Sequence, residues 1–260
     1  MLGTVAELEQ TKDASNQDAR ARGVIITGAR FRWPNAQVPF QINAALPNQQ
    51  RVQDAITHWE ARTPIRFTER TAANASQFPN FIEFSDAGGC WSMLGMQGNG
   101  MQTTSLGTGC STGNAIHEIG HAVGLWHEQS REDRNTFVTI NVANIEPGME
   151  SQFDQHIVAG DDVGGYDYGS IMHYPRTAFS KNGQETITPM QARAQIGQRT
   201  ALSAVPADGP RKFEPGRIVG PEPARRFCSR HQPRGVPQVF QRSLGTVAHR
   251  LRVLGRCHSR

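Results

Sequence analysis

The chain has 260 residues, with 27 Lys+Arg against 23 Asp+Glu, nine His, four Cys and 37% hydrophobic residues, enough for one large or two small globular domains. A charged fraction of 19% and the lack of any apolar run near the roughly 18 residues that span a bilayer argue against wholesale disorder and against a membrane anchor. Residues 1–205 carry 15 basic and 20 acidic groups, whereas 206–260 carry 12 and 3. The basic tail has no aromatic interleaving and no RNA-binding motif, and the acidic body opposes it, so a nucleic acid is not the expected partner.

Met1-Leu2-Gly3 runs into polar residues without the apolar stretch of a secretory signal peptide, and residues 1–23 read as a leader or propeptide remnant. Between Val24 and Ile42 apolar bursts broken by Gly28, Pro34 and Pro39 favour strands and turns. Asn48 can cap a helix whose apolar positions Val52, Ala55, Ile56 and Trp59 follow the i, i+3, i+4, i+7 rule, and Pro64 stops it. Strands are expected at Ile65 to Phe67, Phe81 to Phe84 and Cys90 to Met96. A helix is expected from Thr112 to Leu125, with Thr112 as its cap and Gly124 at its end. Asn, Asp, Gly and Pro then recur from Arg131 to Pro189, which predicts a second lobe organised by loops. From Pro206 the chain has seven prolines and eleven arginines in 55 residues, a composition that favours disorder. Three segments result: 1–23, a folded domain over 24–205, and the tail 206–260.

Cys90, Cys110, Cys228 and Cys257 have no C-x-x-C spacing and do not form a zinc set. A Cys90 to Cys110 bridge would contribute about 3 kcal/mol and point to an oxidising compartment; two free thiols are the alternative.

Residues 117–127 read H-E-x-x-H-x-x-G-x-x-H, a match that chance gives in roughly one chain in 10⁴ of this length. His117 and His121, four apart on a helix, project from one face and can share a metal. Gly124 permits a left-handed helix end that swings His127 toward the same ion. Three neutral imidazoles suit one zinc ion and leave a position open for water. Glu118 stands where it can take the water's proton, which makes a machinery for amide hydrolysis.

Further on comes Ser170-Ile171-Met172-His173-Tyr174, with Met172 45 residues past His127. The extended zinc motif with a later Met-turn, and the run His127-Glu128-Gln129-Ser130-Arg131-Glu132-Asp133-Arg134, resemble the astacin-type metzincin proteases over roughly Val24 to Leu202. Trp33, Pro39, Cys90 and Cys110 stand in similar places. The resemblance implies an α+β fold of two lobes, the first a twisted mixed sheet with two helices and the second mostly irregular. It also implies a secreted zinc endopeptidase, with His117, His121 and His127 as ligands, Tyr174 as a displaceable further ligand and oxyanion donor, Glu118 as general base, and Met172 as an apolar floor. His173 is expected to orient the loop. An extended polypeptide would lie along the edge strand of the first lobe, with neither a membrane nor a nucleic acid as partner and the chain acting as a monomer.

In the resembled family the glutamate after the third histidine is linked to the α-amino group of the mature N-terminus. Here that residue is Glu128, and the terminus would fall near Val24, after Arg20-Ala21-Arg22-Gly23; a surface pair of Glu128 with Arg131 or Arg134 is the plainer alternative. The chain departs from the family at Pro64, where a cysteine is common, and after Leu202-Ser203, where Pro206, Gly209 and Pro210 oppose the closing helix. A competing reading is a catalytically impaired, protease-like binding protein whose arginine-rich tail does the work.

Overall fold

The apolar bursts between Val24 and Ile42 become two strands with different partners. In the computed structural model, which describes residues 22–203 and the strand Gln238–Gln241, β1 (Gly23–Ile26) pairs antiparallel with β8 (Gly160–Val163) of the second lobe. β2 (Gln37–Ile42) lies inside the main sheet, parallel to both β3 (Arg66–Glu69) and β4 (Phe81–Ser85). β6 (Met101–Leu106) continues the parallel run beside β4, and β5 (Cys90–Met93) turns antiparallel against β6. β10 (Gln238–Gln241) pairs antiparallel with β5 and completes the order β10-β5-β6-β4-β2-β3.

Helices α1 (Gln50–Arg62) and α2 (Thr112–Ala122) pack on this sheet. Val52, Ala55, Ile56 and Trp59 of α1 are buried, as the helical spacing predicts, in one core with Phe40, Ile82 and Phe84 of the strands and Ile116 and Ile119 of α2. The indoles of Trp33 and Trp59 donate to the carbonyls of Ala122 and Ile116 at 2.8 and 3.0 Å, so both tryptophans seat α2 as well as fill space. Arg51, 2% exposed, forms no salt bridge among the described residues and donates to the carbonyls of Leu106, Gly107 and Cys110, with Asp86 acting on it from a distance. Cys90 and Cys110 are bridged, which joins β5 to the turn before α2 and rules out the free-thiol alternative.

Several boundaries differ from expectation. The residue before α1 is Gln49, without a side-chain cap, and Asn48 takes a left-handed φ of 51°. Ser111, not Thr112, caps α2, through a reciprocal pair of bonds with Asn114, and the helix ends at Ala122 rather than Leu125. β5 stops at Met93 rather than Met96 because Gly95, at φ 67°, donates its N–H to the carbonyl of His121 instead. β6 has no apolar alternation to announce it, since Gln102, Thr104 and Ser105 are among its buried residues. Two of them are satisfied nearby: Thr104 pairs with Ser92 of β5 at 3.1 Å, and Gln102 donates to the carbonyl of Gly95, just past β5, at 2.9 Å.

The second lobe is built from short 3-10 turns and a two-stranded ribbon of β7 (Val138–Ile140) and β9 (Ile187–Pro189). Its own core holds Ile145, Phe153, Tyr166, Tyr174 and Ile187. The α+β, two-lobed architecture is thus as expected, and among the described residues no helix is long and apolar enough to cross a membrane. The leader reading of residues 1–21, the end of the domain past Ser203, Cys228 and Cys257 all lie outside the described residues. Gln238–Gln241 of the tail forms β10, which pairs along β5 at one edge of the first lobe's sheet.

Candidate active site

His117 and His121 sit one turn apart near the end of α2. Gly124 follows at φ 105°, a conformation that side chains resist, and its N–H and that of Leu125 close the helix on the carbonyls of His121 and Gly120. This reversal brings His127 back, so that the three imidazole centroids lie 4.6 to 5.4 Å apart. His117 Nδ1 donates to the Ile171 carbonyl and His121 Nδ1 to that of Leu125, both at 2.8 Å. A carbonyl only accepts, so each Nδ1 carries the proton and each Nε2 keeps its lone pair.

The Nε2 atoms of all three histidines are buried without a hydrogen-bond partner, and one ligand atom from each lies within 4.8 Å of the others. Burial holds all three pKa values below the ordinary range, that of His121 at about 4. Three neutral, orphaned nitrogens converging on one point fit a zinc ion.

Glu118 is fully buried, and neither carboxylate oxygen has a partner. Burial pushes its pKa up to about 8, against the opposing charge of Arg199. Met172 passes below α2 at Gly120, where a Cβ would stand 2.6 Å from the methionine sulfur and push that side chain aside. Tyr174 is 1% exposed, with its ring tilted over His127 at 4.2 Å and its hydroxyl unpartnered. Burial raises its pKa. His173, as expected, holds the loop: Nδ1 donates to the Tyr174 carbonyl at 2.8 Å, and Nε2 accepts from the Tyr166 hydroxyl at 2.7 Å.

Glu128 is buried, not on the surface. One oxygen accepts the Asp167 N–H at 2.9 Å, with Arg131 Nη1 4.0 Å away, and the other has no partner. That free oxygen faces the start of β1, 3.8 Å from where a Cβ on Gly23 would stand. Arg134 turns elsewhere, to the carbonyls of Gln129 and Phe153.

Two residues of the site escaped the sequence reading. Gln129 accepts the Tyr174 N–H through its side-chain oxygen at 3.1 Å; it stands inside a quoted run, but only the fold shows what it holds. Arg199, 82 residues after His117, donates to the His173 carbonyl at 2.9 Å, while its Nε and Nη2 are buried and unpartnered. Desolvation lowers its pKa to about 10 against the pull of Glu118 and Tyr174. A lone arginine in a loop leaves no periodic signal.

A family model described as Astacin, a peptidase family, matches residues 26–209. The chain belongs to the astacin family. Zinc metalloproteinase nas-13 of Caenorhabditis elegans is 41% identical over 178 residues, 66% of this chain and 38% of that protein. The bone morphogenetic protein 1 homolog of Strongylocentrotus purpuratus is 40% identical over 214 residues, 77% of this chain and 33% of that protein. This astacin therefore spans about a third of the length of these relatives. Among solved structures, high choriolytic enzyme 1, a hatching enzyme zinc-protease from Oryzias latipes, superposes with a TM-score of 0.58 at 34% identity, covering 67% of this chain and 88% of that one. Within this family match, His117, His121 and His127 stand where they could hold a metal ion.

Proposed function

We propose that this astacin is a zinc endopeptidase. The observation that carries the reading is the convergence of three orphaned imidazole nitrogens beside an orphaned, buried carboxylate. His117, His121 and His127 would hold one zinc per chain, with the Tyr174 hydroxyl as a displaceable further ligand. Zinc supplies Lewis-acid activation of a water and of the scissile carbonyl. Glu118 takes the proton of the attacking water and passes it to the leaving amine nitrogen. Tyr174 donates its hydroxyl proton in a hydrogen bond to the oxyanion of the tetrahedral intermediate. Arg199 keeps two buried donors unpartnered within reach of the charges of Glu118 and Tyr174, which favours a substrate carboxylate next to the scissile bond.

Every group named comes from one chain, so a monomer suffices, and the Cys90–Cys110 bridge supports an extracellular setting. A free α-amino group near Gly23 or Val24, produced by cleavage in the Arg20-Ala21-Arg22-Gly23 stretch, would pair with the unpartnered oxygen of Glu128. An impaired, protease-like binding protein is disfavoured because a pure binder has no use for Glu118 beside a complete triad.

The test is Glu118→Gln with zinc analysis. Casein hydrolysis should fall by about 10² to 10⁴ while one zinc per chain stays bound, and chelation should abolish the activity of the unmodified chain. Loss of zinc from the variant would make Glu118 structural, and full activity in metal-free protein would remove the mechanism.

A further inference from the structure

Tyr174 is carried on irregular backbone, and the residues leading to it are stitched to the site one after another. The carbonyl of Ile171 accepts from His117 Nδ1, that of Met172 from the Glu128 N–H at 3.1 Å, and that of His173 from Arg199. At Tyr174 two bonds meet. Its carbonyl accepts from His173, a neighbour that moves with the same loop, and its N–H donates to the side-chain oxygen of Gln129.

Gln129 belongs to the opposite wall, two residues past His127. It is fully buried, and its own carbonyl accepts from Arg134 at 3.1 Å. Its side-chain NH2 has no partner, an unfavourable state that an apolar side chain of similar volume would avoid. What the carboxamide contributes is therefore its oxygen.

We propose that Gln129 is the positioning residue for Tyr174. An oxygen fixed two residues beyond the third imidazole sets where the tyrosine backbone stands relative to His127, so that the hydroxyl moves about a fixed anchor. This rests on the reading of Tyr174 as the oxyanion donor. Gln129→Met keeps the volume and removes the acceptor. Small misplacements of catalytic groups are costly, so kcat should fall about 10- to 100-fold, with KM within about twofold and zinc content unchanged.

The decisive measurement is a double-mutant cycle of Gln129→Met with Tyr174→Phe in the zinc-loaded full chain. If Gln129 acts through the tyrosine hydroxyl, the double variant is no slower than Tyr174→Phe alone. Additive losses, or an unimpaired Gln129→Met beside an impaired Tyr174→Phe, would overturn the proposal and leave the role of Tyr174 intact. An unimpaired Tyr174→Phe would instead remove the oxyanion reading and this proposal with it. A second readout needs no metal: in the apo protein the Tyr174 amide should lose its protection from hydrogen exchange on Gln129→Met while the Glu128 amide keeps it. Retained protection at Tyr174 would refute the anchor. Should Gln129→Met not fold, Gln129→Asn withdraws the same oxygen by one methylene and enters the same cycle with the same expectations.

Discussion

Removing the residues before Gly23 or Val24 should stabilise the domain, through Glu128. Its unpartnered oxygen lies 3.8 Å from a Cβ position on Gly23, and the compensation already present is one backbone N–H and a guanidinium nitrogen 4.0 Å from the other oxygen. An ammonium brought to about 4 Å interacts with a carboxylate by about 4 kcal/mol at an effective dielectric constant near 20. Desolvating the ammonium offsets part of this, so we expect a net gain of about 2 kcal/mol. For a domain of this size that is a rise in Tm of roughly 4–8 °C. The assay is calorimetry on the full chain and on chains beginning at Gly23 and at Val24, each with and without Glu128→Gln. The gain should appear in at least one shortened chain and vanish when Glu128 is replaced. Equal melting temperatures throughout, or a gain that survives Glu128→Gln, would refute the pairing.

Arg199→Gln removes a charged donor that an acidic substrate side chain would meet. A charge-assisted bond contributes about 1.5–3 kcal/mol, so kcat/KM for peptides with Asp or Glu beside the scissile bond should drop roughly 10- to 100-fold relative to alanine peptides. An equal drop for both would make Arg199 a prop for the His173 carbonyl alone. Deleting 204–260 uncovers β5, and the KM for an extended peptide should fall; an unchanged KM would show that this edge is not where substrate docks.

The zinc motif was legible because its chemistry is local: two histidines one helical turn apart, a glycine that reverses the chain, and a third histidine within one turn of that reversal. α1 was legible for a similar reason, its buried stripe at Val52, Ala55, Ile56 and Trp59 being periodic. β6 was not, because a strand buried through Gln102, Thr104 and Ser105 replaces the apolar alternation with internal hydrogen bonds. Gln129 and Arg199 were missed because what matters about them is which distant carbonyl or N–H they reach, and nothing in their neighbours encodes that. The surface alternative for Glu128 failed on burial: a residue with Arg131 three positions on looks like half of an exposed pair until the fold encloses both.

β1 touches more of the site than its four residues suggest. Ile26 donates its N–H to the Gly124 carbonyl, and the Val24 carbonyl accepts from Trp126, so one edge of the strand is sewn to the exit of α2. The other edge is paired over all four residues with β8. One hydrogen-bonded ribbon therefore joins the exit of α2 to the second lobe. If the chain cleaves polypeptides as proposed, a segment of a folded target would have to detach from its native contacts to enter as a single strand, so local unfolding of the substrate would bear on which bonds are reached.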